Sequence, residues 1–230
     1  MAKPVGIYIQ FGCGPGTACP REWINFDVSP TLRLQRLPVV GKFFRRGATI
    51  FPEGVCIGDI VKGLPVPSGS ARGVYASHVL EHLSLKDFQI ALENTFQMLM
   101  PGGIFRVVVP DLEGRARKYL EKLSAGDVDA NSWFMKSTSL GVEDRKRGIE
   151  ALARSIFGNT AHLWMWDETS MSAALRKVGF IDVRRCRFND SRDQTFHLIE
   201  DKSRFYAGSV EELAIEAIKP GAGLRDVPTS

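Results

Sequence analysis

The sequence lacks the patterns that mark metal-binding, exported or membrane-spanning chains. Its cysteines form no CxxC pair and no zinc-type spacing; they are Cys13, Cys19, Cys56 and Cys186. We therefore predict no metal site, and reduced thiols in a cytoplasmic protein. The N-terminus has no apolar signal-peptide core, and no apolar run is long enough to span a bilayer. Export and membrane insertion are not expected.

Net charge is also small, with 30 Lys and Arg against 26 Asp and Glu and a formal net charge of +4. A surplus of this size is ordinary for a solvated surface, so we expect no nucleic-acid partner. With 44% hydrophobic and 24% charged residues, a chain of 230 residues can bury one sizeable core. We predict a single domain over residues 1–230.

A glycine-rich loop follows the first predicted strand, residues 7–11. Gly12, Gly14 and Gly16 stand at every second position, which lets the backbone approach a bound cofactor closely. A dinucleotide fingerprint needs its third glycine where Thr17 stands, and a P-loop needs Gly-Lys-Ser/Thr after the glycines. The loop therefore predicts a nucleotide-type cofactor bound by neither of these motifs.

The second predicted strand, residues 23–28, places Asp27 at its carboxyl end. In an open α/β sheet an acid at that edge can accept hydrogen bonds from ribose hydroxyls. The alternative is an Asx turn leading into Ser29-Pro30. Only residues 12–22 separate the two strands, and Pro20 interrupts them, so the first crossover helix should be truncated.

Segment 29–52 is basic and apolar, with no acidic residue. Such a segment can contact an anionic membrane surface or an anionic substrate. We favour the simpler interpretation, in which its apolar side packs over the sheet face that the missing helix leaves open.

The remaining chain alternates predicted strands and helices, which indicates an α/β fold. Further strands are predicted at 55–60, 73–77, 104–109, 180–188 and 212–219, and helices after Ser84 and after Asp167 or Thr169. The segment 212–219 also suits a capped helix, and we choose the strand. Residues 112–166 have a largely helical composition, and residues 221–230 are expected to form a loose tail.

Seven motifs in order resemble the type-11-like branch of class I S-adenosylmethionine (SAM)-dependent methyltransferases. They lie at residues 9–14, 23–27, 58–60, 64–65, 77–83, 99–103 and 107–113. The resemblance implies a doubly wound, mostly parallel seven-stranded sheet with an antiparallel last strand. It also implies SAM as cofactor and a small-molecule or saccharide-type methyl acceptor, with 112–166 as a lid or acceptor-binding insertion.

The same resemblance implies the roles of individual cofactor-binding residues. The glycines would line the methionine and ribose, Asp27 would hold the ribose, Asp59 and Ile60 would meet the adenine, and Ser77 and His78 would border the reactive methyl. Gln10 stands where many members carry an acid that holds the amino group of the cofactor. Arg72 likewise replaces a usual aspartate before the fourth strand.

Methyl transfer from a sulfonium is an in-line displacement that requires alignment of donor and acceptor and exclusion of water. Where the acceptor must lose a proton, His78 is the best-placed base, followed by His162 and Asp111. The alternative for His78 is a strand-end histidine bonded to backbone. Glu81 and His82 are interpreted as structural.

Two other function classes remain open at this point. A nicotinamide-dependent oxidoreductase is disfavoured by Thr17 at the position of the third glycine. A non-catalytic SAM-binding or membrane-associated module gains some support from Gln10 and from segment 29–52.

Overall fold

A seven-stranded sheet forms the centre of the protein. The computed structural model describes residues 6–38, 41, 50–142 and 161–221. The sheet strands are β1 (Ile7–Phe11), β2 (Trp23–Asp27), β3 (Cys56–Ile57), β4 (Ala71–Ser77), β5 (Leu99–Val109), β6 (Ile181–Cys186) and β9 (Leu213–Ile218). A separate hairpin pairs β7 (Tyr206–Ala207) with β8 (Val210–Glu211).

The strand order is β3-β2-β1-β4-β5-β9-β6. The first five of these strands pair in parallel, whereas β9 runs antiparallel to both β5 and β6. The predicted α/β architecture, with its antiparallel last strand, is confirmed. The choice of a strand over a helix for residues 212–219 is confirmed with it.

The helices begin and end where the sequence supplies caps. They are α1 (Pro30–Gln35), α2 (Leu85–Met98), α3 (Leu112–Ser124), α4 (Ala130–Ser137) and α5 (Glu168–Val178), with 3₁₀ turns at Leu80–His82, Gln194–Leu198 and Lys202–Phe205. Ser84 caps α2 by accepting a hydrogen bond from the Asp87 N–H. Asp167 forms a capping box with Ser170, and Gly179 ends α5 at a φ of 112°.

One face of the sheet packs against α2 and α5. Ile9 and Phe11 of β1 share a cluster with Phe88 of α2 and with Met171 and Leu175 of α5. Because strand side chains alternate, the neighbouring residues of β1 point to the opposite face. That face carries the cavity described below.

The opposite face is covered by residues 194–205. Phe196 and Phe205 pack there against Tyr8, Trp23 and Tyr75. Residues 12–22 between β1 and β2 contain no helix, so the crossover helix that we predicted to be truncated is absent there. Our expectation that segment 29–52 would cover the exposed face is wrong for its described part, because the aromatic residues of 194–205 fill that space.

The described part of segment 29–52 forms a small cluster of its own. Leu32 of α1 packs with Cys13, Phe51 and Val55. The guanidinium of Arg36 donates to three backbone carbonyls of residues 52–55 and so is structural rather than solvated. The predicted basic stretch 42–46 lies outside the described residues.

Other predicted segments also lie partly outside the described residues. Segment 112–166 is helical at α3 and α4, whereas its residues 143–160 and the tail beyond residue 221 lie outside the described residues. Strand β5 begins at Leu99 rather than at 104, because Leu99 pairs with Ala71 before a register shift in β4.

Within residues 6–38, 41, 50–142 and 161–221, no helix has the length and apolar character to cross a bilayer.

Candidate active site

A cavity of about 550 Å³ lies between the glycine loop and residues 198–204. Its volume is within the range of small-molecule and cofactor sites. The walls are Gln10, residues 12–18, Tyr75, Ser77, His78, residues 198–201 and Arg204. The cavity therefore joins the carboxyl ends of β1 and β4 to a segment far along the chain.

The glycine loop presents bare backbone to this cavity. Gly12, Gly14 and Gly16 have φ angles of 62°, 69° and 75°, a region that side chains disfavour. A Cβ at Gly14 or Gly16 would meet no described heavy atom within 4 Å. The space beside both residues is therefore free for a ligand, which is what a cofactor cradle requires.

Asp27 shapes the glycine loop from the neighbouring strand. Its Oδ2 accepts a hydrogen bond from the Gly14 N–H at 2.9 Å, and its Oδ1 accepts one from the Ser29 N–H at 2.7 Å. The bond from the Ser29 N–H is the Asx turn that we gave as the alternative role of Asp27. Asp27 therefore forms this turn and also holds the glycine loop. Asp27 is buried and is not among the cavity walls, and its contact with ribose stays a prediction.

Two side-chain amides hold the far end of the loop. Gln10 accepts a hydrogen bond from the Thr17 hydroxyl at 3.0 Å, and Asn25 donates to the Ala18 carbonyl at 2.9 Å. Gln10 thus keeps an acceptor at the cavity wall, although it lacks the negative charge of the usual acid.

The cavity floor carries buried polar atoms that suit a ligand. The Tyr75 hydroxyl and the Ser77 hydroxyl have no hydrogen-bond partner within the described part of the chain. Burial raises the pKa of Tyr75, so its phenol stays protonated. Because unpaired buried polar groups are costly, both hydroxyls are available to a bound molecule.

His78 follows β4 in a strained backbone conformation, with a φ of 55°. Its Nε2 lies 2.9 Å from the Arg204 carbonyl, which can only accept, so Nε2 carries the proton. Its Nδ1 lies 3.4 Å from Glu81 Oε1. Burial alone would lower the pKa of His78, but the carboxylate of Glu81 outweighs burial and raises it. His78 is therefore hydrogen-bonded to the backbone, as in the alternative that we gave for it.

We did not predict the wall formed by residues 198–204 from the sequence. Arg204 donates to the Ser77 carbonyl at 3.3 Å, and Glu200 pairs with Arg106 where both side chains are fully buried. The signal was an arginine inside the otherwise apolar run of β5. A fully buried arginine requires an acidic partner, and that partner anchors the wall.

Besides Asp27, four predicted site residues do not line the cavity. Asp111 is buried and pairs with Arg185 at 2.8 Å, and Asp59 accepts from the Val61 N–H at 3.0 Å. Ile60 belongs to the core cluster with α2. His162 packs beside His82, with ring centroids 5.1 Å apart, and burial lowers its pKa. Their roles toward cofactor or acceptor stay predictions.

A family model described as a methyltransferase domain matches residues 2–184, which is most of the chain and includes the whole glycine loop. The chain belongs to this methyltransferase family. The predictions of a class I methyltransferase, of an enzyme and of SAM as its cofactor are confirmed. The narrower branch named from the motifs stays a prediction.

Solved structures share the fold of this methyltransferase at low sequence identity. A SAM-dependent methyltransferase from Methanosarcina mazei is 14% identical, with 94% of this chain and 93% of that chain covered and a TM-score of 0.50. One from Archaeoglobus fulgidus is 16% identical, with 94% and 87% covered and a TM-score of 0.48. A search of curated proteins found no match.

Coverage is lower for the CurJ carbon methyltransferase, which is 16% identical with a TM-score of 0.47. The match covers 95% of this chain, but it spans only 50% of that one. At these identities the likeness concerns the fold alone, and the acceptor must be argued from the cavity.

Proposed function

We propose that this methyltransferase transfers the methyl group of SAM to a small polar acceptor, of small-molecule or saccharide type. The observation that carries the proposal is the cavity itself. On one side Gly14 and Gly16 offer open backbone, and on the other Ser77, His78 and Arg204 offer polar groups. A cavity with polar walls of this kind suits a hydroxyl-bearing molecule better than a large apolar one.

The residues of the chain supply position and exclusion of water. SAM supplies an activated methyl group when it is bound. The glycine loop and Asp27 hold the donor side, and residues 198–201 together with Arg204 form the opposite wall of the cavity. Alignment inside a dry cavity is the main requirement of an in-line displacement.

His78 is our candidate base, because it alone of the three predicted catalytic residues lines the cavity. Its Nε2 proton is held by the Arg204 carbonyl, so proton abstraction needs release of that contact or use of Nδ1. An acceptor that is already nucleophilic needs no base. The H78N variant, whose residue tolerates the left-handed backbone, separates these cases.

The test is calorimetric titration with SAM, S-adenosylhomocysteine and NADH, followed by an acceptor screen that measures S-adenosylhomocysteine formation. We expect micromolar binding of the first two and none of NADH. We then expect turnover with hydroxylated small molecules. For a base, H78N lowers kcat by about 10²- to 10⁴-fold at unchanged SAM affinity. SAM binding without turnover on any small acceptor would favour the non-catalytic module.

We place the enzyme in the cytoplasm on the strength of four free cysteines. The membrane interpretation of segment 29–52 is tested by liposome sedimentation with anionic vesicles. Binding that is lost when Arg33, Arg45 and Arg46 are replaced together would support it.

A further inference from the structure

Glu81 is a fully buried acid whose nearest partners are histidine rings rather than a lysine or an arginine. Its exposed fraction is 0%, and neither carboxylate oxygen has a hydrogen-bond partner among the described residues. An isolated carboxylate in such a place is unfavourable unless a positive charge or a cation balances it. The surroundings of Glu81 therefore need an explanation that the methyltransferase cavity does not provide.

Three of the four histidines of the chain gather around this carboxylate. His78 Nδ1 lies 3.4 Å and His82 Nε2 lies 3.8 Å from Glu81 Oε1. His162 Nδ1 is buried, with no hydrogen-bond partner in the described part of the chain. One ligand atom each from Glu81, His82 and His162 can be chosen so that all lie within 4.8 Å of one another.

The backbone holds this cluster in place. Glu81 and His82 belong to the 3₁₀ turn after β4, and His162 comes 80 residues after His82. The N–H groups of Leu163 and Trp164 donate to the Glu81 carbonyl at 2.7 and 3.1 Å. Two main-chain hydrogen bonds thus fix His162 beside the acid.

His82 also has the orientation of a coordinating histidine. Its Nδ1 lies 3.1 Å from the Ala161 carbonyl, which can only accept, so the proton is on Nδ1. Nε2 then carries a lone pair, and this atom lies 3.8 Å from Glu81 Oε1. A backbone carbonyl that fixes the tautomer of a ligand is a common second contact of metal-bound histidines.

We propose that Glu81, His82 and His162 bind a divalent first-row transition-metal ion such as Zn²⁺. Two imidazoles and one carboxylate are the donor set of many zinc and non-haem iron sites. Zinc bonds of about 2.0–2.1 Å place tetrahedral donors roughly 3.3 Å apart, so ligand atoms now within 4.8 Å of one another must approach by up to about 1.5 Å on binding. We predicted no metal site because the cysteines lack zinc-type spacing. That reason does not apply to a site made of one carboxylate and two imidazoles.

The competing explanation is that protonated His78 balances the charge of Glu81 without any ion. The two explanations differ in an observable way. With an ion, Zn²⁺ stabilises the wild-type protein and not a variant that lacks a ligand. With histidines alone, Zn²⁺ has no effect on stability.

The test is titration of chelator-treated full-length protein with Zn²⁺ by calorimetry, and with Co²⁺ by its visible absorption, in the absence of SAM. We expect one ion per chain and a rise in the melting temperature. E81Q and H162N should each weaken binding on the order of 100-fold, because even second-contact residues are worth about 10- to 100-fold. If E81Q does not fold, H162N at its half-buried position still decides the question.

Two variants control for adventitious binding. H197A removes the fourth histidine, and C19S removes an exposed thiol, and both should bind Zn²⁺ as the wild type does. Absence of saturable binding at one equivalent would overturn the proposal. So would equal binding by H162N, or a loss of binding confined to C19S. No outcome depends on methyl transfer, so this test and that of the proposed function fail separately.

Discussion

The carboxylate of Asp27 accepts a hydrogen bond from the backbone N–H of Gly14 at 2.9 Å. Through this contact the end of β2 sets the shape of the loop that follows β1. The loop has no crossover helix behind it, so a side chain from the next strand replaces the support that a helix N-terminus would give.

Replacing Asp27 should therefore weaken cofactor binding. A hydrogen bond to a charged group contributes about 1.5–3 kcal/mol, so D27A should lower SAM affinity by roughly 10- to 100-fold. Calorimetry measures the change. D182N is the control, since the carboxylate of Asp182 is exposed and pairs only with Arg192 among described residues, and asparagine tolerates its φ of 52°. Equal SAM affinity in D27A and wild type would contradict the role of this contact.

A side chain at Gly14 should block the cavity without a clash in the free protein. G14A adds a methyl group where no described heavy atom lies within 4 Å, so SAM affinity should fall by at least about tenfold while the protein folds. The matched control is G69A. Gly69 has the same φ of 69° and equally open surroundings, but it is not among the cavity walls. Both variants should lose about 1 kcal/mol of stability, and only G14A should lose SAM.

The buried pair of Arg106 and Glu200 should control both stability and the cavity wall. E200A leaves the guanidinium of Arg106 buried without its nearest acid, which costs about 3 kcal/mol by urea unfolding. SAM affinity should fall as well, because residues 198–204 lose their anchor. The exposed pair of Glu113 and Arg117 provides the control, and E113A should cost no more than about 0.5 kcal/mol. Similar costs for the two variants would count against the anchoring role.

Two of the four thiols should react with a disulfide reagent in the folded protein, and the other two should not. Cys19 and Cys56 are exposed, whereas Cys13 and Cys186 are buried. Burial raises the pKa of both buried thiols, that of Cys186 to about 12. Since the thiolate is the nucleophile, a disulfide reagent at pH 8 should modify two thiols quickly and four only in denaturant. Rapid modification of three or four in the native protein would show that the loop around Cys13 opens.

The local elements were predictable because their signals are short-range. Ser84 and Asp167 cap helices as expected, and the short apolar runs of β1 and β4 indicate strands directly. The glycine loop and its motifs were enough to indicate a methyltransferase. These features depend on backbone conformation and side-chain periodicity within a few residues.

The cavity wall and the Glu81 cluster were not predictable in the same way. Residues 198–204 carry no motif, and their position depends on Glu200 meeting Arg106 across 94 residues. His82 and His162 are ordinary histidines in the sequence, and only backbone hydrogen bonds to Glu81 bring them together. From the sequence we interpreted Glu81 and His82 as structural, because nothing in it indicates that His162 lies beside them.

The sequence by itself thus determined the α/β class, the strand and helix pattern, the glycine loop and the methyltransferase family. The tertiary structure decided which side chains meet: the cover of the open sheet face, the walls of the cavity and the acid among three histidines. The physical reason is that propensity, capping and periodicity act between near neighbours along the chain. Pairing of a buried charge depends instead on which distant segment the packed core brings beside it.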